Sequence, residues 1–376
     1  MRKLCVVELF TVKRVKLFSR VRDEEVTGLI NSLSQVSNSP VQVNEKDGQH
    51  FDNEKFQHIM DEAMAVLSSF WGADFFPYFG WILDVFSGLH GRLEMSFQEF
   101  DVLEEHLDPT RPQEHEDVTD ILVGLAKDQT ASLRLSKDHV KAILMSPSLI
   151  IYVHMHTVKS FLTTLGKKKR KKHVCMLPDI FVGAIDTCSI TMVWAMTELA
   201  RNPRVMKKVQ AEIRSSIGKK PKVDEAEVEK LKYLKMVVKE TFRLHPPATL
   251  LLPRETRGHC KIGRYDIYPK TRILVNAWAI GRDPKVWKNP DNFYPERFAE
   301  TEIDFRGQHF ELLPFGAGRR ICPGLMMGAT AVEFALANLL HCFDWEFPCG
   351  MKREDISVEA EFGLTVHKKF PLFLVP

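Results

Sequence analysis

Apolar residues recur every three or four positions through residues 6–37, with Arg20, Arg22, Asp23, Glu24 and Glu25 on the intervening face, the pattern of helices that bury one side. The same period returns over 117–127, 179–201, 204–217 and 231–244, each opened by acidic or Asn/Pro punctuation, and over 323–343 behind a glycine-rich stretch. All of these predict helices. The aromatic run FWGADFFPYFGWILDVF at 70–86 is broken by Gly72, Pro77 and Gly80, so it predicts a buried connector into a helix at 94–106, and polar residues 108–117 predict a loop. After Pro246 the period changes. LLLPRETRGHCKIGRYDIYPKTRILVNAWAIGR sets β-branched runs between Gly and Pro turns and predicts short strands in a small sheet, and GLTVHKKFPLFLVP predicts a closing hairpin. The expected fold is mainly α with a small β region, without internal repeats.

Residues 146–178, SPSLIIYVHMHTVKSFLTTLGKKKRKKHVCMLP, interrupt this order. Pro147, Gly166 and Pro178 would each break a helix, whereas Met145 joined to Asp179 reads KAILM-DIFVGAIDT, a continuous apolar-rich helical pattern. The segment is therefore expected to be an insertion into one helix. Its basic run at 167–172 could form a nuclear-import or nucleic-acid patch, but a solvated loop is the preferred reading and no nucleic-acid partner is expected. His154 and His156 are followed by no matching Cys/His pair and are read as incidental.

A chain of 376 residues could bury one large core or two modest ones. With 44% hydrophobic and 27% charged residues it has the make-up of a globular protein, which indicates neither a disordered chain nor a multi-span membrane protein; the net charge of +3 decides little about partners. Seven cysteines show neither paired zinc spacing nor a dense disulfide pattern, which fits a reducing compartment. The opening MRKLCVVELFTVKRVKLF is interrupted by Lys13, Arg14 and Lys16, too short and too charged for a signal or spanning helix.

The candidate chemistry lies in PFGAGRRICPG, residues 314–324: a glycine-rich turn delivering one cysteine to a helix N-terminus. Gly316, Gly318 and Gly324 permit positive φ and close backbone approach to a bulky flat ligand, and Pro323 suits a first helical turn. Arg319, Arg320 and the helix dipole bias Cys322 toward thiolate. An isolated cysteine is usually a small buried hydrophobe. Here the spacing F-x-x-G-x-R-x-C-x-G, through Phe315, Gly318, Arg320, Cys322 and Gly324, reverses that prior, since a chance match in this length is roughly one in ten thousand. Upstream, KETFRLHPP places Glu240 and Arg243 three apart on one helical face, which alone is a common surface ion pair. YPERF supplies Arg297. GAIDT, 183–187, sets an acid beside a hydroxyl in an otherwise apolar helix, which alone is most simply a pair of helix-surface residues.

PFGAGRRICPG resembles the haem-binding loop of the cytochromes P450, and GAIDT, KETFRLHPP and YPERF follow that family's order of motifs. TMVWAMTELARNP, AWAIGRDP and GLTVHKK are most similar to its plant microsomal A-type, 71-like group. The resemblance implies a cytochrome P450 haem-thiolate fold, with Cys322 as ligand to the iron of haem b (iron protoporphyrin IX). It makes Arg320 a haem-propionate partner, with Arg254 and Arg2 as further ones, and Gly318 and Phe315 parts of the cofactor loop, Phe315 packing near the sulfur. Glu240, Arg243 and Arg297 become a buried triad holding that loop under the haem. Thr187 is assigned to hydrogen bonding O2 and Asp186 to proton delivery. The implied pocket comprises Phe181, Ala184, Ile185, Ala248, Leu250, Leu251, Leu364 and Thr365, which suits a small apolar substrate.

The implied reaction inserts one oxygen atom from O2 into a small apolar metabolite of plant secondary metabolism. Electrons would come from NADPH through cytochrome P450 reductase at the cytosolic face of the endoplasmic reticulum membrane. A non-catalytic haem-binding remnant is the alternative. Residues 1–376 are expected to form a single haem domain. Met1-Arg2-Lys3 matches the interior of the family's W-R-x-x-R-K helix, so the anchor, hinge, first strands and pocket lid that precede it in the family are expected to be missing, leaving strands near 260 with open edges. Gly183 and Ala184 invert the family's usual small pair, so the pocket is expected to be slightly narrower, and Ala184→Gly to leave the haem spectrum intact.

Overall fold

A computed structural model of the chain describes Thr11 and residues 15–16, 18–35, 41–43, 178–361 and 363–376. Arg2, the connector at 70–86, the helices expected at 94–106 and 117–127, and all of the 146–178 segment but Pro178 lie outside the described residues. The chain divides into two compact units, one of Met1–Val12, Ile30–Asn44 and Thr187–Pro376 and the other of Lys13–Leu29 and Glu45–Asp186.

Helix α1, Ser19–Gln35, buries Val26 and Leu33 and, among them, Arg22, whose Nη2 donates to Val15 O at 2.8 Å. Strand β1, Val41–Val43, follows. Helix α2, Pro178–Arg201, opens on a proline, which costs nothing where no intrahelical donor is needed. From Asp186 onward it is buried on nearly every side, the mark of a core helix. Asn202 ends it by donating to Glu198 O at 2.8 Å and precedes Pro203, the first residue of α3, Pro203–Ile217. Val205, Val209, Ile213 and Ile217, four apart, form the buried stripe of α3, and Gly218 closes it at φ +69°.

A short helix α4, Glu225–Val228, leads to α5, Lys232–Leu244. The last long helix, α7, Leu325–Cys342, follows the turn α6, Ala277–Ile280. Helices α3, α5 and α7 pack on one another, and α5 also packs on the 3-10 turn Pro295–Phe298. Helix α7 is long and apolar enough to cross a membrane by length and composition, yet 67% of it is buried inside the protein, so it is a core helix. Its polar Asn338, fully buried, bonds the backbone N–H and C=O of Val223 and so is satisfied.

The expected strands are present as β2 Arg254–Glu255, β3 Cys260–Ile262, β4 Tyr265–Ile267 and β5 Arg272–Ile273, followed by β6 Ala360–Glu361, β7 His367–Lys368 and β8 Leu372–Leu374. They do not form one small sheet. Among the described residues they pair as separate antiparallel ladders, β2 with β5, β3 with β4, β6 with β7 and β1 with β8. The expected closing hairpin is likewise corrected: β7 and β8 are adjacent in sequence but pair elsewhere, Glu361 with His367 and Val41 with Leu374. Pro371 stands between them and has no N–H to give a ladder. Leu372 and Leu374 point inward while Phe373 faces out.

Candidate active site

The segment 314–324 folds as a tight loop ahead of α7. Gly316 and Gly318 take φ of +70° and +67°, and Cys322 N donates to Phe315 O at 2.9 Å, closing the loop on itself. Two sequence expectations change here. Gly324 has an ordinary φ of −87° as the N-cap of α7, and Pro323 lies before that cap, not in the first turn, so Cys322 stands three residues ahead of Leu325. Cys322, Gly318, Arg319 and Arg320 are exposed.

Phe315 fixes the loop from beneath. Its ring meets Phe242 of α5 edge-on at 5.1 Å and Phe305 at 5.5 Å, and Phe242 and Phe305 stand 5.3 Å apart, so three aromatics close a triangle. A side chain on Gly316 would meet Arg254 Nη2 and Leu251 Cδ1, each 3.6 Å from an added Cβ, so Leu251 and Arg254 converge on the loop. Leu251 holds a strained φ of +51° there.

The triad assembles. Arg243 grips Glu240 with Nε and Nη2, both at 2.8 Å, and Arg297 Nε reaches Glu240 Oε1 at 3.0 Å. Tyr294 N adds a bond to the same oxygen at 2.8 Å. Remaining guanidinium hydrogens go to backbone oxygens: Arg243 to Gly281, Pro290 and Asn292, Arg297 to Lys288, Asn289 and Asn292. Every bond of the triad thus ends within it or on backbone between 281 and 294. It does not touch the Cys322 loop directly, and Phe242 makes that connection.

Three glycines and a cysteine escaped the sequence reading. An added Cβ on Gly281 would lie 2.5 Å from Arg243 O, and one on Gly307, at φ +78°, 2.6 Å from Ile321 Cδ1 and 3.2 Å from Gly316 O. Gly328 of α7 leaves room for Cys188 Sγ at 3.7 Å and Phe315 Cε1 at 4.0 Å. Burial, reinforced by the nearby Cys322, pushes the Cys188 thiol up to about 12, so it packs here as a neutral group. The signal available in the sequence was the three glycines standing where no hairpin turn needs them.

Asp186 and Thr187 fall side by side on α2; Asp186 is buried, and Thr187 O accepts a bond from Thr191 Oγ1 at 2.7 Å. Phe181, Ala184 and Ile185 lie on the same helix, with side chains outside the described residues. Of the other pocket residues, Ala248 and Leu364 are half-buried, Thr365 is buried and Leu250 is exposed. Val366 N donates to Pro247 O at 2.9 Å, which brings the 248–251 and 364–365 segments to one place.

These residues fit a haem. The loop offers an exposed sulfur over backbone stripped of Cβ at Gly316 and Gly318, and the guanidinium groups of Arg254 and Arg320 are tied to no carboxylate among the described residues, as propionates would require. Such a loop, in a chain that also carries an Asp-Thr pair on a helix and a buried Glu-Arg-Arg triad, has the residue set of a haem-thiolate protein.

The comparisons agree. The cytochrome P450 family model matches residues 158–373. Cytochrome P450 71B10 of Arabidopsis thaliana is 44% identical over 406 aligned residues, covering 100% of this chain and 74% of that protein. The 4-hydroxyphenylacetaldehyde oxime monooxygenase of Sorghum bicolor is 43% identical, with 100% and 70% covered, and the 2-methylbutanal oxime monooxygenase of Manihot esculenta 42%, with 100% and 72% covered. A zebra fish cytochrome P450 solved with progesterone superposes with a TM-score of 0.69 at 19% identity, covering 100% of this chain and 81% of that one, which bears on the fold alone. The chain belongs to the cytochrome P450 family. It has the P450 fold, mainly helical with few strands, and is a monooxygenase of that class, with haem b as its cofactor and O2 and a redox partner implied by the family.

Proposed function

We propose that this protein inserts one oxygen atom of O2 into a small apolar metabolite of plant secondary metabolism, drawing electrons from NADPH through cytochrome P450 reductase at the cytosolic face of the endoplasmic reticulum. The observation that carries this reading is the exposed Cys322 on a loop whose glycines and aromatic floor, with Arg254 and Arg320 tied to no carboxylate among the described residues, suit a thiolate-bound macrocycle. Haem ligated by a thiolate supplies the activation of O2.

The chain's own residues supply the rest. Cys322 holds the cofactor, and Arg320 and Arg254, with Arg2, bind its propionates. Glu240, Arg243 and Arg297 lock the 281–294 backbone, and Phe242 passes that rigidity to Phe315 and the loop. Thr187 Oγ1 positions O2 by hydrogen bonding, and Asp186 serves proton delivery. Phe181, Ala184, Ile185, Ala248, Leu250, Leu251, Leu364 and Thr365 form a small-to-apolar lining that excludes water and selects a greasy substrate. Residues 1–376 act as a single haem domain, with 146–178 as an insertion.

The test is the reduced carbon monoxide difference spectrum of the purified chain beside Cys322→Ser. A band near about 450 nm that the variant lacks is expected. No band in either protein, or a band in both, overturns the assignment of Cys322.

A further inference from the structure

A closed circuit of contacts runs behind the pocket segments. Trp194 of α2 stacks on His245, with ring centroids 4.1 Å apart and planes 5° from parallel. Its Nε1 donates to Val366 O at 3.2 Å; Val366 N donates to Pro247 O at 2.9 Å; and Pro247 lies two residues beyond His245. The ring is thus Trp194, Val366, Pro247, His245 and back to Trp194. Each backbone member adjoins a pocket segment, Pro247 preceding Ala248 and Val366 following Thr365. Trp194 is seven residues after Thr187, about two helical turns, and so shares its face of α2.

His245 is held in turn. Its Nε2 lies 2.9 Å from Glu198 Oε1, and because a carboxylate only accepts, Nε2 carries the hydrogen. Glu198 is steadied by Asn202 Nδ2 at 3.2 Å and Arg201 Nη1 at 3.5 Å. Burial lowers the His245 pKa, against the opposing pull of Glu198, and so favours the neutral ring.

We propose that Trp194 is a positioning residue, which through its stack on His245 and its bond to Val366 sets segments 248–251 and 364–365 against the Thr187 face and thereby decides which apolar ligands the site admits. This rests on the reading of those segments as pocket walls. Among the described residues Trp194, His245, Pro247 and Val366 make no bond to the Cys322 loop, which the 248–251 segment meets only at its far end through Leu251, so the effect is read on protein already loaded with haem.

The experiment uses the haem-loaded protein and two azole probes that bind iron, imidazole, which needs no walls, and 4-phenylimidazole, which does; dissociation constants are read from the shift of the Soret band. In Trp194→Phe, which keeps the stack and loses the donor, the 4-phenylimidazole constant is expected to change about fivefold or more, the size of a lost buried hydrogen bond. The imidazole constant is expected to stay within about twofold. Glu198→Gln, which still accepts from Nε2, should match wild type for both probes, and Glu198→Leu should follow Trp194→Phe. Parallel changes in both constants, or no change in either, overturn the proposal. If Trp194→Phe does not accumulate folded, a Glu198→Leu variant that matches wild type for both azoles overturns it equally. A wild-type protein that binds imidazole but not 4-phenylimidazole removes the pocket reading itself, a different failure from a wild type that binds both while the variants follow it.

Discussion

Arg243 and Glu240 are both fully buried and bonded at 2.8 Å. Removing one partner of a buried pair strands the other, which costs about 3–5 kcal/mol, and a lysine cannot reproduce the two parallel bonds to the carboxylate or the three to backbone. Arg243→Lys should therefore lower the unfolding free energy by that order, read from urea denaturation. Arg204→Ala, which breaks a pair with its arginine 61% exposed, should cost under about 1 kcal/mol. Comparable losses in the two variants would remove the triad from its structural role. The spacing of Glu240 and Arg243 was legible because three residues is a helical period, and Arg297 because YPERF followed in order. The carbonyls of Gly281, Pro290 and Asn292 were not legible, since main-chain acceptors in an irregular segment leave no mark on side-chain pattern.

Among the elements, the helices expected at 179–201, 204–217, 231–244 and 323–343 were readable within two residues at each end because one buried stripe dictates their period, while α4, the turn α6 that falls inside the stretch read as strands, and strand pairing were not. Two- and three-residue strands carry too little alternation to specify a partner, and β8 found β1 across most of the chain. Glycine makes a sharper distinction. Gly328→Ala should be tolerated, its methyl in ordinary contact with Cys188 and Phe315, whereas Gly307→Ala adds a methyl at positive φ 2.6 Å from Ile321 and should displace the loop, at about 1–3 kcal/mol and with loss of the band near about 450 nm. Equal haem retention in both variants would contradict the tight approach at Gly307.

The turn Pro295–Phe298 makes a pH-dependent join between elements. Burial pushes the Glu296 carboxyl up, but hydrogen bonds from Arg204, Lys208 and Tyr233 outweigh it and hold it at about 2, against 4.5 for the free group. A carboxyl depressed by folding contributes stability above its unfolded pKa and loses it as pH falls toward the folded one. The stability gap between wild type and Glu296→Gln should therefore be full at pH 6 and shrink from about pH 4.5 toward 2. A gap that does not vary with pH would show that the ion pairs contribute nothing.

At the scale of the whole molecule, the order of motifs identified the family from a handful of residues, GAIDT, KETFRLHPP, YPERF and PFGAGRRICPG following one another along the chain. What the pattern also marks is residues 146–178, between two stretches that join into one helical period. Helix α2 begins at Pro178 and Thr187 follows nine residues later, so a helix continued upstream through KAILM would place Asp186 and Thr187 in its interior and away from a frayed end. Deletion of 146–178, joining Met145 to Asp179, is expected to raise the haem-to-protein absorbance ratio and the melting temperature. Deletion of 146–177 keeps Pro178, which would then sit inside the longer helix at a cost of about 3 kcal/mol, and should recover much less of either. If the two deletions behave alike, helix continuity is not what the segment interrupts, and if both lower the haem ratio below that of the whole chain, 146–178 is an integral part of the haem domain and not an insertion.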